Sequence, residues 1–274
     1  MARRDFSGKV VLITGAAGGL GSALCRRFAA QGARIAAVDL DPSRLAASVA
    51  NLPMGTLAIA GNIADPDVCL MAVKKTVAHF GALDALVNNA GITHRSLFRD
   101  TDPKVIRHVM EVNFFGAMQL THAALGHLIA SRGTVAAISS VAGYAPLLGR
   151  TGYSASKHAL HGFFDTLRAE LDDAGVGVTL VCPSFIATGI GGAALGGNGG
   201  PAASKRITAG GESDPDDIAQ RILDAMADGR HLLLPDRTSR MAWWLSKLAP
   251  GLYARTMKRR MSPEFGPTCQ EIRP

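Results

Sequence analysis

The sequence predicts an α/β fold: a doubly wound parallel sheet held between two layers of helices. Three observations predict it. Short apolar, β-branched runs alternate with longer stretches of helical period over most of the 274 residues. Those runs are continuously apolar instead of alternating, as strands buried on both faces are. The repeated strand–helix order also requires right-handed crossovers within one sheet.

The elements follow in order. The first strand, at 9–13, leads through "TGAAGGLG" into a helix at 20–31. Gly15, Gly19 and Gly21 in that turn allow close approach of a pyrophosphate to the backbone, with the first N–H groups of the helix facing the anion. A second strand at 34–38 closes on Asp39, an acid at the distance expected for binding the ribose hydroxyls of a dinucleotide. A carboxylate there repels a 2′-phosphate, and no Lys or Arg is obviously placed to neutralise one, so NAD(H) is expected over NADP(H). A helix at 42–50, a strand at 57–60 and a helix at 65–80 come next. The fourth strand, at 83–87, precedes "NNAG", and a single long helix is expected over 103–131. A strand at 134–139 ends beside Ser140, and the helix at 152–174 carries Tyr153 and Lys157. The sheet closes with strands at 176–182 and 231–234, separated by a Gly-rich stretch at 189–212 and a helix at 215–228. That stretch follows a strand end, where open α/β sheets bind ligands, and a substrate lid is expected there.

Tyr153 and Lys157 are four apart and share a helix face. A phenol is a poor base near neutrality, and a neighbouring ammonium favours the phenolate, so the pair is expected to act in proton transfer with a lowered phenol pKa.

Composition bounds the remainder. Hydrophobic residues are 47% and charged residues 19%, enough for a sizeable core. The four cysteines are scattered, which argues against a disulfide framework or a metal site. The apolar run near the N-terminus is strand-length, too short for a signal peptide or a span, and a cytoplasmic location is expected. The net charge is +7, and between Arg230 and Arg260 eight basic residues stand against Asp236 alone, so this stretch carries the whole excess. Charge so confined does not suit a nucleic-acid binder.

The order and spacing of these motifs resemble the short-chain dehydrogenase/reductase family: "TGAAGGLG", "NNAG", Asn113 in "MEVNFFG", Ser140, "YSASK" and the "PSFIAT" segment at 183–188. They appear in order over about two-thirds of the chain. The resemblance implies a three-layer Rossmann fold, residues 1–235, with the lid at 189–212. It implies a catalytic set of Asn113, Ser140, Tyr153 and Lys157. It assigns NAD contacts to Gly15, Gly19, Leu20, Asp39, Asn62, Ile63, Asn89, Ala90, Gly91, Tyr153, Lys157, Pro183, Ile186 and Thr188. Asn113 would hold a water in the proton relay, and no metal is needed. Ser184 stands where the family usually has glycine, and Asn62 where it often has aspartate. His94 and Tyr144 are candidates for the pocket wall, outside the catalytic set.

The implied activity is NAD(H)-dependent interconversion of a secondary alcohol and a ketone, on an apolar substrate. Its alternatives are an NADPH-dependent carbonyl reductase and a non-catalytic dinucleotide sensor. A homodimer or homotetramer is implied, assembled through the helices that hold Asn113 and Tyr153. Residues 236–274 fall outside the family pattern, as a basic amphipathic helical extension and a tail. The segment 237–261 mixes Trp243, Trp244 and leucines with cations and is broken at Pro250. It suits either peripheral membrane contact or packing over the active-site mouth or a partner subunit. The tail at 262–274 is expected to be poorly ordered.

Overall fold

The computed structural model describes residues 3–204, 206–208 and 211–266. Seven parallel strands form one sheet: β1 (Val10–Thr14), β2 (Arg34–Asp39), β3 (Leu57–Ala60), β4 (Ala85–Asn88), β5 (Thr134–Ile138), β6 (Gly177–Val181) and β7 (Leu232–Leu233). Their order is β3-β2-β1-β4-β5-β6-β7, so the chain winds outward from β1 in one direction and then from β4 in the other. The crevice between β1 and β4 is the switch point where such sheets bind ligands.

Both faces of the sheet are covered, as the continuously apolar strands require. Val11 and Ile13 of β1 pack into one core with α1 (Gly19–Ala30), α2 (Pro42–Val49) and α7 (Pro215–Ala227). Val10 and Leu12 point the other way, into a core with α3 (Pro66–Phe80), α5 (Gly116–Ala130) and α6 (Thr151–Leu171). Four helices start the same way. Asp41, Asp65, Asp102 and Asp214 cap α2, α3, α4 (Pro103–Met110) and α7, each followed by proline at the first helical position. The side chain accepts free N–H groups, and the proline has none to leave unpaired.

Two expectations change. The single helix at 103–131 is α4 and α5 joined through a π-helical turn, Glu111–Phe115, which contains Asn113. Inserted π turns of this kind gather at functional sites. The tail is also ordered further than expected: Ser262–Phe265 form a 3₁₀ turn whose Glu264 is buried against Arg150. A buried partner for that carboxylate outweighs the freedom of a chain end. The remainder of the tail, 267–274, lies outside the described residues, as do positions 205, 209 and 210 of the expected lid.

The extension forms two helices, α8 (Arg237–Leu248) and α9 (Pro250–Met261), packed on each other. Tyr144 anchors α8: its hydroxyl donates to the Ser239 carbonyl at 2.7 Å, and its ring meets Trp243 edge-on at 4.9 Å. Asp236 caps α8 through Ser239 and accepts from both the N–H and the hydroxyl of Ser184. The extension therefore packs on the loops that follow β5 and β6.

Candidate active site

The site grows from the carboxyl ends of the strands. After β1, Gly15 adopts φ +64°, and a methyl group there would come within 2.9 Å of the Ala90 Cα; one on Gly21 would overlap the Gly15 carbonyl. Only glycine fits a turn folded this tightly. Unlike the Asp-capped helices, α1 is preceded at its cap by Gly18, with no side chain on its first N–H groups and no acid in its first turn. Those donors are left for an anion.

A cavity of 490 Å³ runs along the strand ends. All fourteen residues expected to contact the dinucleotide line it, from Asp39, Asn62 and Ile63 at one end to Tyr153, Lys157 and Pro183 at the other. Asp39 is held by two backbone donors, Ala17 N–H at 2.9 Å and Asp41 N–H at 3.2 Å. The expectation that no cation stands near it needs correction. Arg44 lines the same end of the cavity, with its guanidinium donating to the Ala17 carbonyl at 3.3 Å. It is the third residue of α2, where strand–acid spacing gives no sign of it.

At the other end, Ser140, Tyr153 and Lys157 come together. The Lys157 ammonium is buried and donates to the Ile138 carbonyl at 2.7 Å, 5.6 Å from the centre of the Tyr153 ring. Burial lowers its pKa to about 8. The Tyr153 phenol is pushed up by burial, and the Ser140 hydroxyl and the Arg150 and Arg206 guanidiniums pull it back. The net direction is upward, against the lowering expected from Lys157, because desolvating the phenolate outweighs the neighbouring dipoles and charges.

Asn113 does not line the cavity. Its side-chain oxygen accepts the Ile92 N–H at 2.8 Å, and its amide donates to the Ile92 carbonyl and the Ser156 hydroxyl, both at 2.9 Å. It thus locks the chain after Gly91 to α6. His94 and Tyr144 also lie outside the wall. His94 accepts the Gly152 N–H at the start of α6, and Tyr144 binds the extension. The Gly-rich segment does line the cavity, at Gly189–Gly191, Ala193, Ala194 and Arg206. Leu195 ties it down through hydrogen bonds with Thr93 and Arg95. Sequence reasoning missed Arg95 and Arg150, which also reach the cavity. Single arginines in loops carry no periodic signal. Among the described residues, no group of three or more His, Cys, Asp or Glu is placed to hold a metal ion.

Residues 9–195 match the family model described as short chain dehydrogenase. The chain is 39% identical over 267 residues to dehydrogenase/reductase SDR family member 7B of Bos taurus, covering 93% of this chain and 82% of that one. It is 38% identical over 189 residues to 11-beta-hydroxysteroid dehydrogenase-like 2 of Arabidopsis thaliana, covering 67% of this chain and 61% of that one. Among solved structures, a short-chain dehydrogenase of Mycobacterium paratuberculosis bound to NAD superposes with a TM-score of 0.75. It is 27% identical, covering 87% of this chain and all of that one. A short-chain dehydrogenase/reductase from Burkholderia phymatum in complex with NAD shares the fold, with a TM-score of 0.80 at 24% identity over 91% of this chain and 96% of that one.

Proposed function

The chain belongs to the short-chain dehydrogenase family of oxidoreductases, and from that premise we propose that it interconverts a secondary alcohol and a ketone with NAD(H), using Tyr153 as general acid and base. The observation that carries this reading is a single cavity joining Asp39 to Ser140, Tyr153 and Lys157. The donors at the start of α1 fit a pyrophosphate, Asp39 fits the adenosine ribose, and Pro183, Ile186 and Thr188 wall the nicotinamide end. The NAD-bound structures of related fold support the same cofactor. When bound, NAD(H) supplies the hydride acceptor or donor.

The chain's own residues supply position and protons. Ser140 sits beside the phenol and can hydrogen-bond the substrate oxygen as charge develops on it. Tyr153 takes a proton at its phenolic oxygen during alcohol oxidation and returns one during ketone reduction. Lys157, held by Ile138, supplies a buried cation behind the ring that favours the phenolate once a second positive charge lies across the site. Asn113 works through Ile92 and Ser156, as a positioning residue that keeps the two walls in register.

Arg44 favours a second reading, the use of NADPH, because a guanidinium near Asp39 could meet a 2′-phosphate. Its carbonyl contact and the two backbone donors that fix Asp39 favour NAD. The test follows nicotinamide reduction by the purified protein with NAD and NADP over graded alcohols, beside Tyr153→Phe. The expected result is turnover with NAD that falls by about 10³-fold or more in the variant while NAD binding is kept. Undiminished turnover in Tyr153→Phe would sink the mechanism. NADP preferred over NAD would favour the reductase reading, and NAD binding without turnover the sensor.

A further inference from the structure

The substrate end of the cavity holds more positive charge than hydride transfer uses. Arg95, Arg150 and Arg206 all line it, coming from the loop after β4, the residue before α6 and the segment after β6. Among the described lining residues the sole carboxylate is Asp39, at the far end. Arg95 and Arg150 are each 7% exposed.

Their electrostatic needs are met unequally. Glu264 takes Arg150 in a two-pronged pair at 2.8 and 2.7 Å and also accepts the Ile207 N–H at 3.2 Å. It stands 3.8 Å from the Arg95 Nε, beyond hydrogen-bond reach. That Nε is buried and has no hydrogen-bond partner among the described residues, while Nη1 makes one long bond of 3.3 Å to the Gly191 carbonyl. Arg206 pairs with Glu212 at 3.1 Å and lies over the Phe185 ring at 5.4 Å. Three guanidiniums thus meet two carboxylates, and neither carboxylate lines the cavity. An ill-paired guanidinium at a buried wall is costly and is retained where an anion completes it.

We infer that the substrate is an amphiphilic anion: an alcohol or ketone on an apolar body that also carries a carboxylate or phosphate, held by Arg95 and Arg206 opposite Tyr153. The inference rests on the oxidoreductase reading for the reacting group and on the arginine cluster for the anion. Leu147, Ile190 and Phe185 on the same wall accept the apolar body. An apolar substrate with no charge would leave the buried Arg95 Nε without a hydrogen-bond partner among the described residues. If the arginines served only to tune the phenol, their loss would shift the pH profile alike for charged and neutral substrates.

The experiment compares NADH-dependent reduction of 9-oxodecanoate, 8-oxononyl phosphate and methyl 9-oxodecanoate. The anions are expected to exceed the ester in kcat/KM by about ten-fold or more, the better of the two identifying carboxylate or phosphate as the natural group. Arg95→Gln is expected to remove most of that preference through KM, and Arg95→Lys to restore part of it. Arg206, more exposed, gives Arg206→Gln as an independent variant should Arg95→Gln fail to fold. Equal kcat/KM for the acid, the phosphate and the ester overturns the inference. In parallel, decanoate, octyl phosphate and decanol are titrated calorimetrically into the NAD-loaded protein. Saturable binding of an anion that weakens in the arginine variants, without turnover of any ketone, would keep the anion site and reject the oxidoreductase reading. Turnover of the ester with neither anion preference nor anion binding would do the reverse. Absence of both would reject both.

Discussion

His94 shows how a residue with catalytic chemistry can be committed to architecture. It is fully buried, accepts the Gly152 N–H at 2.9 Å through Nε2 and places Nδ1 3.3 Å from the Ser96 hydroxyl. Burial, with Arg150 adding to it, pushes its pKa down from 6.5 to about 4. Between those values the unfolded chain binds a proton that the folded chain refuses. Stability therefore falls as pH drops through that window and levels off below it, by on the order of 3 kcal/mol. Urea denaturation across pH 7 to 4 should show this slope, and His94→Gln should flatten it; an unchanged slope in the variant would assign it elsewhere. Tyr153 and Lys157 were legible as a pair because they stand four apart on one helix, whereas Ser140 joined them only through the family resemblance. The commitments of His94 and Asn113 were not legible, since each is decided by a partner distant in sequence.

At the scale of elements, the helix starts were the most legible feature, because an aspartate followed by proline both caps a helix and opens it. The π turn was hidden, since its residues keep a helical pattern on either side. The C-terminal extension was legible as helical and amphipathic, but its docking was not. Glu264, three residues beyond the end of α9, is the far end of that docking, and its pair with Arg150 joins the tail to the residue before α6. Removing one partner of a buried pair leaves the other uncompensated. Glu264→Ala is expected to cost about 3–5 kcal/mol in chemical denaturation and to open the chain after Met261 to limited proteolysis. A variant as stable and as resistant as the wild type would mean that α8 and α9 hold the tail unaided.

For the whole molecule, the stretch that carries the basic excess also exposes several large apolar side chains. Met241, Trp244, Leu248 and Leu252 are 67%, 63%, 78% and 56% exposed, on helices that also carry Arg237, Arg240, Lys247, Arg255 and Lys258. No helix among the described residues is long and apolar enough to cross a membrane. This face supports the proposal of peripheral contact with an anionic bilayer, the aromatic and leucine side chains entering the interface while the cations meet headgroups. Co-sedimentation with phosphatidylserine vesicles should exceed that with phosphatidylcholine and weaken in about 0.5 M salt. Trp244→Ser with Leu248→Ser should reduce it further. Equal sedimentation with both lipids, or none, would leave packing on the loops after β5 and β6 as the extension's role.

The sequence by itself determined the layered α/β architecture, the nucleotide-binding turn, the acid at the end of β2 and the Tyr–Lys pair. These depend on periodicity and short spacing, which steric and hydrogen-bonding rules translate directly into local structure. Only the tertiary structure decided that α8 and α9 dock on Tyr144, that Glu264 reaches Arg150, and that Arg95 and Arg206 face one cavity. Those outcomes rest on charges and rings brought together from distant segments. Burial strengthens such contacts, and linear order alone does not encode them.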